Sequence, residues 1–120
     1  MESIKDFFHE TMDIAFKAGI KRENIIIDPG LGFGKTSEHN IEIMGRLSEL
    51  KELNFPILLG ASRKSMLGKI LDLPPKERVE GTIATTVIGI MQGVDIVRVH
   101  DVKENLRASM VADAIYRRKV

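Results

Sequence analysis

The stretch NIIIDPGLGFGKTS, residues 24–37, joins three signals. Ile25, Ile26 and Ile27 form a β-branched run without alternation, which suits a parallel strand buried on both faces. Gly30, Gly32 and Gly34 follow in a loop, and from Ser37 onward Ile41, Met44, Leu47, Leu50 and Leu53 recur at helical spacing. Strand, glycine-rich loop and helix in this order make one βα unit. The loop does not read as a nucleotide P-loop. In G-x-x-x-x-G-K-[ST], with Gly34, Lys35 and Thr36 closing the motif, the first glycine belongs at position 29. Pro29 stands there and has no N–H to donate. The dinucleotide pattern G-x-G-x-x-G fails as well, because Gly30, Gly32 and Gly34 run G-x-G-x-G. Asp28 and Lys35 argue for more than a spacer, although Asp28 alone also suits the turn that Pro29 begins.

The same alternation extends in both directions. Upstream, residues 3–18 carry Ile4, Phe7, Phe8, Met12, Ile14, Ala15 and Phe16 in a helical stripe, and Gly19 supplies a stop. Downstream, helical spacing over 37–53 leads to a second buried strand, FPILLG at 55–60. A short helix over 64–71 ends before Leu73-Pro74-Pro75, and proline suits the first turn of the next helix, 75–91. Gly93 ends that helix, and VDIVRV at 94–99 is the third strand. Asp101 caps the last helix, with Glu104 completing a capping-box pattern. That helix, 102–118, carries Val102, Leu106, Met110, Ala114 and Ile115. A helix followed by three strand–helix units predicts an α/β fold with a parallel sheet, in one domain over 1–120 without an internal boundary.

Bulk properties narrow the function classes. The chain has 120 residues and a net charge of +1, so there is no basic field for nucleic acid. Cysteine is absent, which removes disulfides and thiolate metal sites and fits a reducing compartment. No apolar run approaches the roughly 20 residues of a membrane span. MESIKDFFHE at the N-terminus lacks the apolar core of a secretion signal. The expectation is a soluble protein of cytoplasmic type, with neither nucleic acid nor membrane as partner.

All three expected strands end in polar groups: Asp28, then Ser62-Arg63-Lys64, then Arg98 and His100 before Asp101. The steps from 28 to 62 and from 62 to 100 are 34 and 38 residues. A βα-barrel unit averages ~30, and ligands bind where the strands' carboxyl ends meet. Ser62 also suits a helix cap, and Arg63 and Lys64 also suit solvent. Arg98 is harder to dismiss, since it lies within IVRVH and arginine is rarely buried unpaired. His100, two residues on, projects to the same side. Such a pair reads as an anion clamp, with a planar donor fork from Arg98 and a second donor from His100. Asp28 suits a heterocycle with adjacent N–H donors, and Lys64, Arg98 and His100 suit an anionic leaving group. Metal ligands are scarce at these tips, so no metal site is assigned within them.

The runs IIIDPGLGFGKT, LLGASRKSMLG and GVDIVRVHDVKE, in this order and over nearly the whole chain, resemble dihydropteroate synthase. The resemblance implies part of a (β/α)8 TIM barrel, from about the fifth helix onward, with the sixth to eighth parallel strands. It implies a transferase of folate biosynthesis that joins 6-hydroxymethyl-7,8-dihydropterin diphosphate to p-aminobenzoate and is inhibited by sulfonamides. By the same resemblance Asp28, Gly60, Lys64 and Arg98 serve the pterin. Gly32, Phe33, Ser62 and Arg63 serve p-aminobenzoate, and Arg98 and His100 hold the diphosphate. Lys64, Arg98 and His100 are then the expected catalytic groups. Mg2+ is expected in the complete enzyme, on ligands largely outside this chain.

One departure is large, since a full barrel needs about 250 residues. The chain alone is therefore expected to be weak or inactive. Exposed sheet edges invite self-association or strand exchange. The helices over 37–53, 75–91 and 102–118 are the candidate surfaces, and in the family the last helices form the dimer interface. Two other classes remain open. One is a pterin- or phosphate-binding fragment without catalysis. The other is a pterin-dependent methyltransferase, against which the SRK and RVHDV runs speak.

Overall fold

The computed structural model describes residues 1–32 and 35–117. They form a slab of 44 × 40 × 21 Å. Its radius of gyration, 15.1 Å, exceeds the ~13.6 Å of a compact domain of this length.

Helix α1 spans Glu2–Lys17 and ends where Gly19 takes φ +89°. Only part of the expected stripe turns inward. Phe8 and Met12 are buried, whereas Phe7, Ile14 and Phe16 are exposed. Lys5 is buried as well, with Nζ 3.0 Å from Glu52, because a charge enters an apolar face only when paired. Glu52 raises the Lys5 pKa through that hydrogen bond.

The strands are shorter than the sequence predicts. The run at 24–28 reduces to a single parallel bridge, Ile27 to Ile57, after a 3-10 turn at Arg22–Asn24. The run at 55–60 keeps β1, Leu58–Leu59, and the run at 94–99 keeps β2, Ile96–Val97. The three expected strands are thus a two-stranded parallel sheet plus one bridge. Side chains take the bonds that would extend the ladder. Asp95 Oδ2 accepts the N–H of Ile57 at 3.0 Å, and Ser62 Oγ accepts the N–H of His100 at 3.0 Å. Pro56 has no N–H to offer.

The helices depart from expectation in three places. The helix expected over 37–53 breaks at Arg46, giving α2 (Ser37–Gly45) and a 3-10 segment, Leu47–Leu53. Leu47 and Leu50 are still fully buried, since a three-residue repeat aligns i and i+3. Arg46 there pairs with Glu49 at 2.5 Å and Glu42 at 2.9 Å. Helix α3 spans Ser65–Leu71. Pro75 opens a 3-10 turn, Pro75–Glu77, and Arg78 separates it from α4, Val79–Met91. Helix α5 spans Val102–Tyr116 after Asp101, but the Asp101 side chain makes no cap bond because Arg63 holds it. Residue 118, where that helix was expected to end, lies outside the described residues.

The core gathers Ile27, Leu47, Leu50, Ile57, Leu59 and Met66 between the strands and α1 to α3. Helix α5 turns Asn105 and Ala112 inward instead of its apolar stripe. Val102, Leu106, Met110 and Ile115 are exposed, as is Met91 on α4, while Met44 is core.

Candidate functional site

The register of β1 and β2 sets Leu58 against Ile96 and Leu59 against Val97. The same separation, 38 residues, continues past the ladder into the polar tips. It pairs Ser62 with His100 and Arg63 with Asp101. Ser62 Oγ lies 2.7 Å from His100 Nδ1 and also accepts the His100 N–H. Arg63 Nη2 donates to Asp101 Oδ1 at 3.0 Å.

Arg98 lies across the neighbouring segment at Gly60. A Cβ on Gly60 would come within 2.5 Å of Arg98 Nη2, so glycine there lets the guanidinium cross the backbone. The same guanidinium reaches toward the first tip, where Nη1 is 3.8 Å from Asp28 Oδ2. Arg98 is 60 % exposed in its side chain, so this pair is weak and leaves the donor fork open to a ligand.

The loop after Asp28 is shaped by its own neighbours. Asp28 Oδ1 accepts the N–H of Gly30 at 2.8 Å, the Asx turn that Asp before Pro-Gly favours. Lys35 Nζ donates to the Gly30 carbonyl at 3.0 Å. Asn40 Oδ1 accepts the N–H of Gly32 at 3.1 Å. The stem of Lys64 lies against Gly32, where a Cβ would stand 3.3 Å from Lys64 Cδ. Thr36 caps α2 by accepting the N–H of His39 at 3.1 Å.

Seven of the expected residues thus meet in three groups: Ser62 with His100, Arg98 with Gly60 and Asp28, and Lys64 with Gly32. Arg63 does not join them, because its guanidinium turns to Asp101. Phe33 lies outside the described residues. Three further residues went unnoticed in the sequence. Asn40 supports Gly32 from α2. Thr82, fully buried, accepts the Arg63 N–H at 3.2 Å. Arg78 donates to the Arg63 carbonyl at 2.9 Å. Asn40 carried a faint signal, a polar residue next to the helical apolar positions; Arg78 and Thr82 carried none.

The strand tips offer one weakly paired carboxylate, a donor fork, an imidazole and a lysine whose stem lies against Gly32. They can receive a flat polar ring on Asp28 and an anion on Arg98 and His100. Among the described residues no three His, Cys, Asp or Glu side chains converge on a metal position. The two tip carboxylates, Asp28 and Asp101, both face arginines, so this donor set does not fit Mg2+ by itself. Among the described residues no helix is long and apolar enough to cross a membrane.

A family model described as pterin binding enzyme matches residues 1–100. The dihydropteroate synthase of Clostridium beijerinckii is 60 % identical over 119 residues, covering 98 % of this chain and 44 % of that protein. The solved dihydropteroate synthase of Clostridium difficile, in the presence of pteroic acid, is 63 % identical with a TM-score of 0.96, covering 98 % of this chain and 45 % of that one. The Yersinia pestis dihydropteroate synthase with a sulfonamide drug complex is 44 % identical with a TM-score of 0.96, covering 99 % of this chain and 43 % of that one. The chain thus spans less than half the length of these relatives. The likeness places its architecture in the TIM-barrel class.

Proposed function

The chain belongs to the pterin binding enzymes, and on that premise we propose that it is the portion of a dihydropteroate synthase carrying the sixth to eighth barrel strands, as one unit over 1–120. The reaction is the condensation of 6-hydroxymethyl-7,8-dihydropterin diphosphate with p-aminobenzoate, giving 7,8-dihydropteroate and diphosphate. The observation that carries this reading is the gathering of Asp28, Lys64, Arg98 and His100 at adjacent strand ends, with Arg98 spanning Gly60 to reach Asp28.

Asp28 and Lys64 bind the pterin ring, and Gly60 lets the Arg98 guanidinium cross the backbone beside it. Ser62 meets the carboxylate end of p-aminobenzoate, with Gly32 and Phe33 bordering that pocket. The bond between the pterin's exocyclic methylene and the diphosphate oxygen breaks, and its electron pair leaves with the oxygen. The amine nitrogen of p-aminobenzoate forms the new bond to that carbon and then gives up a proton. Arg98 and His100 stabilise the charge gathering on diphosphate, a preorganised effect that often dominates catalysis. Mg2+ belongs, in this reading, to residues of the complete barrel beyond this chain. Sulfonamides compete at the p-aminobenzoate pocket, and the chain works in the cytoplasm.

The isolated chain binds but turns over weakly or not at all, since it spans under half of its relatives. Calorimetric titration with the dihydropterin diphosphate tests this. Saturable binding is expected, and Arg98→Ala weakens it ~10-fold or more, because a hydrogen bond to a charged group contributes about 1.5–3 kcal/mol. A chain folded by circular dichroism that binds nothing overturns a preformed site. A requirement for p-aminobenzoate in the complete protein separates the synthase from a methyltransferase. A second copy is the expected partner of the exposed α4–α5 face, where Met91, Met110, Val111 and Ile115 present apolar surface. Sedimentation of Ile115→Glu beside the unaltered chain checks that association.

A further inference from the structure

Arg78 precedes α4 and meets the site only through the backbone of its second tip. Its guanidinium spends its donors on the turn that carries Ser62 and Lys64. Nη1 reaches the carbonyl of Arg63 at 2.9 Å and that of Lys64 at 3.4 Å, while Nε donates to the carbonyl of Leu73 at 2.8 Å. The guanidinium lies against Gly68 of α3, and a Cβ there would collide with Nη2. The turn needs such support. Arg63 has φ +55°, the left-handed region that a side chain with a Cβ enters at a cost. That backbone twist sends the Arg63 side chain to Asp101 and leaves Ser62 and Lys64 on the face shared with His100 and Gly32.

We propose that Arg78 is a positioning residue for the ligand site: it clamps the 62–64 turn in its left-handed form, so that Ser62 and Lys64 face the pterin and p-aminobenzoate positions. The assignment of those positions rests on the function proposed above; the clamp itself does not. The planar fork is what matters. A lysine at 78 carries the same charge but cannot serve three carbonyls on two segments at once.

Two readouts on the full 120-residue chain test the clamp. The first is amide hydrogen exchange. In Arg78→Ala the Arg63 and Lys64 amides are expected to exchange at least ~10-fold faster, while the amides of α1 stay within about twofold, since local openings need not involve the whole fold. Arg78→Lys is expected to resemble the alanine variant. Gly68→Ala provides a second route should Arg78→Ala fold poorly. Alanine favours the helix, yet its Cβ displaces the guanidinium, so faster exchange at 63 and 64 is expected in a chain whose α3 is better formed. Unchanged exchange at 63 and 64 in both Arg78→Ala and Gly68→Ala overturns the clamp, and full rescue by lysine overturns the role of the fork.

The second readout is calorimetric binding of pteroic acid, with an expected loss of ~10-fold in Arg78→Ala and in Gly68→Ala. A loosened turn with unchanged pteroate affinity overturns the positioning role. If the unaltered chain binds no pteroate, the reading of the site fails, and the clamp is then decided by exchange alone.

Discussion

The two connections that frame the site are ordered in opposite ways. The loop after the first tip is held by residues close in sequence: Asp28 on Gly30, Lys35 on Gly30, and Asn40 on Gly32. The turn after the second tip is held from far away: Arg63 by Thr82, Arg78 and Asp101, and Ser62 by His100. The first is a local design, set by residues within a few positions of Gly30 and Gly32. The second is a tertiary design whose geometry depends on α4, α5 and β2 packing correctly.

Breaking the side held from far away has the largest expected effect on stability. Thr82→Val keeps the shape of a fully buried residue but leaves the Arg63 N–H without an acceptor. A loss of about 1–3 kcal/mol in urea denaturation is expected, the range for an unsatisfied buried group. A loss below that range would mean that water reaches the turn and the contrast is weaker than drawn.

The locally held side responds less. Asn40→Leu keeps the approximate volume of a buried side chain and removes the acceptor from Gly32, whose N–H lies on an exposed residue that water can serve. The expected loss is about 1.5 kcal/mol, the upper end for one hydrogen bond. Thr36→Ala removes the α2 cap at an exposed position, with about 1 kcal/mol expected from the same measurement. If either variant lost more than Thr82→Val, the ordering of the two regions would be reversed.

The smallest effect lies outside both regions and serves as a control. The hydrogen bond from Arg46 holds the Glu49 carboxyl below its ordinary pKa. A carboxyl depressed on folding contributes stability that is complete above its unfolded pKa, about 4.3 for glutamate, and is lost as pH falls through the lower folded value. Glu49→Gln is therefore expected to flatten the acid limb of a stability-versus-pH curve and to leave pteroate binding unchanged. Both groups are substantially exposed, so the change is modest and shrinks with added salt.

Legibility in the sequence followed the same division. The Asx turn at Asp28 and the stop at Gly19 were readable because each depends on residues within a few positions. The Thr36 cap is equally local, but Thr36 also closes the Gly34-Lys35-Thr36 run, and that competing pattern hides the cap in the sequence. The strands were overextended for a definite reason. FPILLG and VDIVRV look alike along their length, yet Asp95 and Ser62 end the ladder by taking its N–H groups with their side chains. Glu104, three residues after Asp101, predicts a helix cap by Asp101. Arg63, 38 residues away, holds that carboxylate instead.

By itself the sequence determined the alternation of helices with apolar segments, the polar character of all three tips, and the step of 38 residues that turned out to be the register of β1 on β2. These are properties of neighbouring residues and of chain length, and they survive without knowledge of packing. Tertiary structure alone decided which partner each charged or buried polar group took: Arg63 with Asp101, Arg78 with the carbonyls of 63 and 64, Asn105 inward while Leu106 and Met110 face out. A buried donor must find an acceptor, but which one lies within 3 Å depends on the element packed above it, and no local pattern records that.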